Sequence, residues 1–156
     1  MIRYIIPLLK TKSEAPFVCF TSPEGKAIYA LLDSGSEMTL IDKTFSEKFP
    51  EAVLSSEEKG KGYCVGINGP RAIDLVSKTV SIPFQTGEGE TASLTVEGMV
   101  DDLTRVSKVF KRNAGLDAEV LVILGSDTLK AYRAQIDYWK EKVIFVNKQK
   151  NNKTQC

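Results

Sequence analysis

Ala30-Leu31-Leu32-Asp33-Ser34-Gly35-Ser36-Glu37-Met38-Thr39-Leu40-Ile41 carries one apolar strand straight into Asp-Ser-Gly and a second apolar strand out of it. Both arms read as core strands, because a solvated hairpin would alternate with polar residues. A carboxylate set between them is flanked by buried residues yet held on a turn. Ser34 offers a hydroxyl to lock that turn, and Gly35 removes a side chain that would block close approach of another backbone. This is how an acid should look if it must face a substrate from a rigid, partly dry platform. The same three residues also make ordinary Asx-type turns, so the motif needs company before it carries a function.

Company comes from Ala118-Glu119-Val120-Leu121-Val122-Ile123-Leu124-Gly125-Ser126-Asp127-Thr128-Leu129, a second apolar run ending in a Gly-Ser turn. A helix pattern follows it, with Asp127 placed to cap and Leu129, Tyr132 and Ala134 placed to pack inward. Leu31-Leu32-Asp33-Ser34 and Ile123-Leu124-Gly125-Ser126 read as two echoes of one supersecondary unit, with Gly125 where the acid stood.

With these pieces the chain resembles the retropepsin-type aspartic proteases, the single-lobed relatives of pepsin. Leu32-Asp33-Ser34-Gly35-Ser36 resembles their catalytic loop, and Ile123-Leu124-Gly125-Ser126-Asp127 with its helix resembles their hydrophobic-hydrophobic-Gly turn. Val65-Gly66-Ile67-Asn68-Gly69-Pro70 is similar to the tip of the flap, and Ile136 through Phe145 to the closing hairpin. These pieces span residues 27 to 146 in the family's order. Two features depart from the viral members. Ser126 stands where they carry an arginine, and the chain is longer around Gly87 to Gly115.

The resemblance implies an all-β domain with one or two short helices, closed as a retropepsin-like barrel over residues 1–146, followed by a polar, frayed tail at 147–156. It implies hydrolysis of peptide bonds by two carboxylates about 3 Å apart, which share a proton because both cannot ionise at that distance. One takes a proton from the attacking water; the other donates to the peptide carbonyl oxygen. The chain has one such motif, so the second carboxylate is Asp33 of another copy and the monomer is inactive. By position, the resemblance makes Asp33, Ser34 and Gly35 catalytic. Ser36, Glu37, Ile67, Asn68 and Gly69 bind substrate, and Leu124 and Gly125 support the loop. Ile2 to Leu9 and Val143 to Val146 are the candidate interface strands. The competing reading keeps the fold but makes it a non-catalytic peptide-binding or dimerisation module that takes an extended peptide by strand addition.

Composition narrows the chemistry further. The 156 residues suit one domain with a real core. Twenty-one lysines and arginines against 20 aspartates and glutamates give no electrostatic case for nucleic acid or an anionic membrane. Histidine is absent, which removes Ser-His-Asp, Cys-His and His-ligated zinc chemistry and leaves carboxylates as the natural acid-base groups. No metal or other cofactor is expected. Asp101-Asp102 reads as a solvated acidic pair, and Lys108, Lys111 and Arg112 as a solvated basic face. No apolar run is long enough to span a bilayer, and Met1 to Leu9 is too short for a signal peptide. Cys19, Cys64 and Cys156, odd in number and without metal-like spacing, read as reduced thiols of a cytoplasmic protein.

The remaining elements follow from local pattern. Strands are expected at Ile2–Leu9, Phe17–Phe20 and Ala27–Leu32. Asp42 is placed to cap a short helix through Phe45 and Phe49 that Pro50 stops. Glu51 to Gly62 reads as a charged surface turn. Tyr63–Ile67 and Arg71–Leu75 flank the glycine turn as one hairpin; Val76–Phe84 and Thr91–Val100 form another. Asp101 to Arg112 has the spacing of a short helix or a lidded loop, and Tyr138 and Trp139 are expected to pack at the closing turn.

Overall fold

The computed structural model describes residues 2–66, 69–86 and 89–147. Its strands are β1 (Ile2–Pro7), β2 (Phe17–Thr21), β3 (Ala27–Leu32), β4 (Leu40–Asp42), β5 (Val53–Gly66), β6 (Gly69–Gln85), β7 (Thr91–Asp101), β8 (Val120–Leu124), β9 (Gln135–Asp137) and β10 (Lys142–Asn147). Among the described residues three α-helices join them, α1 (Phe45–Lys48), α2 (Thr104–Ala114) and α3 (Ser126–Ala131), with a 3-10 turn at Pro50–Ala52. The chain is mostly β, as expected. The strands form two hydrogen-bonded sheets, ordered β1-β10-β9 and β2-β3-β8-β4-β7-β6-β5, with one core between them. Phe20 and Phe84 from the larger sheet meet Phe145 and Tyr4 from the smaller one in that core. Strand β10 includes Asn147, the first residue of the expected tail, paired with Ile2; residues 148–156 lie outside those described.

Strand β8 decides the topology. Val120-Leu121-Val122-Ile123-Leu124 is buried at every position, which suits a strand covered on both faces. It lies parallel to β3 and antiparallel to β4, so it separates two strands that are neighbours in sequence. One face of the β3–β8 pair joins the main core. Over the other lies α2, whose fully buried Phe110 stacks on Phe17 at 4.7 Å and on Tyr29 at 5.5 Å. Burying such a ring stabilises the fold by about 2–3 kcal/mol. Ser107 of α2 accepts a hydrogen bond from the Val120 amide at 2.8 Å, beside the irregularity where the β3–β8 register shifts. Gly115 ends α2 in the left-handed conformation, at φ 69°. Strand β3, which leads into the Asp33 loop, and its neighbour β8 are therefore held from both sides.

Several local expectations are corrected. The charged stretch from Glu51 to Gly62 is chiefly strand β5, not a surface turn. Its own residues favour no strand; pairing with Val76, Thr79 and Val80 of β6 imposes one. As the edge of the larger sheet, β5 bears charges and bulges near Ser55 and Gly60, features that discourage edge-to-edge association. Asp42 is not the helix cap, since α1 begins after Thr44. Its carboxylate instead accepts from the Thr44 amide at 2.9 Å and the Leu103 amide at 2.8 Å, tying two loops together. Trp139 and Tyr138 do not pack: they are 92% and 59% exposed at the β9–β10 turn, which Asp137 closes by accepting the Lys140 amide. In the basic cluster, Lys111 pairs with Glu119 at 2.5 Å. Val143 and Ile144 lie inside the smaller sheet, paired with β1 on one side and β9 on the other. Among the described residues no helix is long and apolar enough to cross a membrane.

The end of β7 carries a pH-dependent contact. Asp102 accepts from the Thr104 hydroxyl and amide and faces Lys43 at 3.3 Å, which lowers its pKa from the ordinary 3.8 to about 2. A folded-state pKa below the unfolded value means that this contact stabilises above about pH 4 and is lost as the pH falls toward 2. Asp102→Asn should therefore narrow the gap in melting temperature to the parent between pH 5 and pH 2. A gap that stays constant over that range would overturn the assignment.

Candidate active site

The two sequence echoes lie side by side. Leu31 pairs with Ile123 and Leu32 with Leu124 in the parallel β3–β8 ladder, and the Asp33 amide donates to the Leu124 carbonyl at 2.9 Å. Asp33 and Gly125 thus leave adjacent strands at the same level. The chain then turns sharply. The Ser36 amide donates to the Asp33 carbonyl at 3.1 Å, and the Gly35 amide to Asp33 Oδ1 at 3.0 Å. The lock on the turn is the carboxylate of Asp33 itself, not the hydroxyl of Ser34, which is exposed. Asp33 is half-buried, with Leu32 buried behind it. A Cβ on Gly35 would stand 3.3 Å from Asp33 Oδ1, so glycine keeps the carboxylate uncrowded.

The second turn presses on the loop from below. The Ser126 amide donates to the Ser36 carbonyl at 2.7 Å, while the Ser36 hydroxyl donates to the Met38 carbonyl at 2.8 Å. A Cβ on Gly125 would fall 2.4 Å from the Met38 oxygen and 2.8 Å from the Ser36 oxygen. Only glycine permits that contact of backbone on backbone. Ser126 thus serves the loop through its main chain.

Three residues of this site escaped the sequence reading. Asp127 is not the cap of α3; Gly125 holds that position, and Asp127 reaches from the first turn to Thr39. Its Oδ2 accepts the Thr39 amide at 3.1 Å and its Oδ1 the Thr39 hydroxyl at 2.8 Å. The Thr39 oxygen also accepts the Gly125 amide at 3.1 Å and meets the Thr128 hydroxyl at 2.5 Å. The available signal was a polar residue set directly beside an apolar run, Thr39 before Leu40-Ile41.

The other expected site residues are spread along the loop and the hairpin. Ser34, Gly35, Glu37 and Met38 are exposed, so on the single chain the loop is an open surface. Gly69 pairs with Gly66 at the end of the β5–β6 hairpin, at φ 84°; Ile67 and Asn68 lie outside the described residues. The site thus presents one carboxylate on a turn clamped to a second turn. One carboxylate is a general base; general acid and base together need another.

The Asp-bearing loop, the β5–β6 hairpin, the Gly125 turn with its helix and the closing β9–β10 hairpin all occur in the expected order. Among solved structures the chain is similar to a retropepsin-like aspartic protease from Rickettsia conorii, at 14% identity and TM-score 0.49 over 92% of this chain and 89% of that one. It is similar also to the retroviral protease-like domain of Ddi1 from Leishmania major, at 12% identity and TM-score 0.38 over 95% and 96%. Basic 7S globulin from soybean matches at 10% identity and TM-score 0.43, over 93% of this chain and 50% of that one. No family model and no curated protein matches the sequence.

Proposed function

We propose that the chain is an aspartic endopeptidase whose active unit is a homodimer, each copy supplying one Asp33. The observation that carries this reading is the Asp33 turn: a half-buried carboxylate, clamped by the Gly125 turn, on a loop open to a partner. Across a two-fold axis the two carboxylates share one proton. The ionised one takes a proton from water as the oxygen attacks the peptide carbonyl, while the protonated one gives its proton to the carbonyl oxygen. As the resulting diol collapses, the first passes the water's proton to the leaving nitrogen and the second recovers one from a diol hydroxyl.

Ser34 braces the opposite loop. Gly35, Ser36 and Glu37 meet the substrate main chain from below, while Ile67, Asn68 and Gly69 cover it and exclude water. Leu124 and Gly125 keep the loop in place. Strand β1 is an edge of the smaller sheet, and Ile2 and Ile5 are 40% and 55% exposed on it, so it offers unpaired backbone and apolar area to a second copy. A polypeptide is the substrate, and a reducing cytoplasm suits the three cysteines.

Dilution tests the arrangement. Specific activity on an unstructured polypeptide, measured from acidic to neutral pH, should rise in proportion to protein concentration wherever sedimentation shows mostly monomer. Activity per molecule that is unchanged on dilution into the monomer range would overturn the shared site. Peptide binding without cleavage at any concentration would establish the non-catalytic module instead.

A further inference from the structure

We propose that Thr39 and Asp127 are positioning residues: their hydrogen bonds set the far end of the Asp33 loop, and with it the placement of the Asp33 carboxylate. The inference rests on the reading of Asp33 as the reacting group. The loop is held at three points. Its start is fixed where Asp33 donates to Leu124, and its middle where Ser36 accepts from Ser126. Its end is Thr39, fully buried, whose carbonyl accepts the Met99 amide at 3.0 Å while its side chain faces α3.

The proton arrangement at Thr39 is determined by its neighbours. A carboxylate only accepts, so the single hydroxyl proton of Thr39 goes to Asp127 Oδ1. The lone pairs left on that oxygen receive the Gly125 amide and the Thr128 hydroxyl. Asp127 accepts the Thr128 amide as well, at 2.7 Å. The network therefore joins the end of the loop, the Gly125 turn and the first turn of α3 into one block. A valine at position 39 keeps the shape but strands the Gly125 amide and the Thr128 hydroxyl in a buried site. The Gly125 turn is then free to shift beneath Met38 and Ser36, and a displacement on the scale of 1 Å at a reacting group can cost about 100-fold in rate.

The test compares Thr39→Val, Thr39→Ser and Ser107→Ala with the parent, at a concentration where all are dimeric. Thr39→Val should lower kcat by roughly 10- to 100-fold with KM within about twofold, since the loop acts on the chemical step rather than on peptide affinity. Thr39→Ser keeps the hydroxyl and should return kcat to within about threefold. Ser107→Ala removes an equally buried hydroxyl bonded to the Val120 amide of the same strand, but away from the loop. It should lower the melting temperature without lowering kcat. Equal losses in the serine and valine variants, a kcat loss in Ser107→Ala that tracks melting temperature, or an unchanged kcat in Thr39→Val would each overturn the proposal.

Amide exchange at Gly125 gives a readout independent of activity. It should accelerate in Thr39→Val and stay slow in Thr39→Ser; the same rate in both overturns the network. A parent protein that cleaves no peptide sinks the protease reading alone, and the exchange result still decides the positioning.

Discussion

Asp33→Asn is expected to lower kcat/KM for peptide cleavage by about 10³-fold or more, with the melting temperature nearly unchanged. The two effects separate because asparagine is isosteric and its side-chain oxygen still accepts the Gly35 amide that closes the turn. What disappears is the group that holds and releases a proton, and in a homodimer it disappears from both sides at once. Mixing makes the prediction sharper. With equal amounts of freely exchanging parent and variant subunits, random pairing leaves about one quarter of the dimers with two intact acids. Activity should fall to that fraction, whereas a site complete within one chain would retain half. Cleavage by the variant within threefold of the parent would remove Asp33 from the mechanism.

The second large effect is expected at Gly125. Gly125→Ala puts a methyl group 2.4 Å from the Met38 carbonyl oxygen and 2.6 Å from its carbon, where no flexible side chain can move aside. Either the Asp33 loop or the turn after β8 must shift, and both are tied to the sheet. A cost of about 3 kcal/mol or more in stability follows, together with loss of cleavage by the fraction that remains folded. Gly25→Ala is the informative contrast. Gly25 sits at φ 86° with open space around it, so alanine there meets only backbone strain, about 1–2 kcal/mol, with kcat intact. Denaturant unfolding of the two variants beside their kcat values decides the matter. Similar losses in both would mean that the contact of Gly125 with the loop has no special weight.

How far the sequence could be read depended on where the stabilising partner lay. Leu31-Leu32-Asp33 and Ile123-Leu124-Gly125 were legible because each is an apolar run that ends in a turn, and the likeness of the runs reflects their parallel pairing in register. The β6–β7 hairpin and α3 were legible for the same local reason. Strand β5 was not: Ser55, Ser56, Glu57, Glu58 and Lys59 carry no strand signal of their own, and their extended state comes from the partner strand. Asp42 and Asp127 both looked like helix caps, since an acid ahead of a helix usually serves there. Each instead reaches a backbone amide far along the chain, Leu103 in one case and Thr39 in the other. Trp139 is apolar yet exposed, because the tight turn leaves its ring outside the core.

The insertion of β8 between β3 and β4 also sets the order of events during synthesis. Thr39 and Asp127 are 88 positions apart, so the Asp33 loop leaves the ribosome long before the segment that clamps it. At 5–20 residues per second the wait is roughly 4–18 s. Contacts of such long range form late in folding, after the local hairpins. Until β8 slots in, Asp33 is a solvated acid on a slack turn. The nascent chain therefore acquires its arranged carboxylate only when nearly the whole fold has been made.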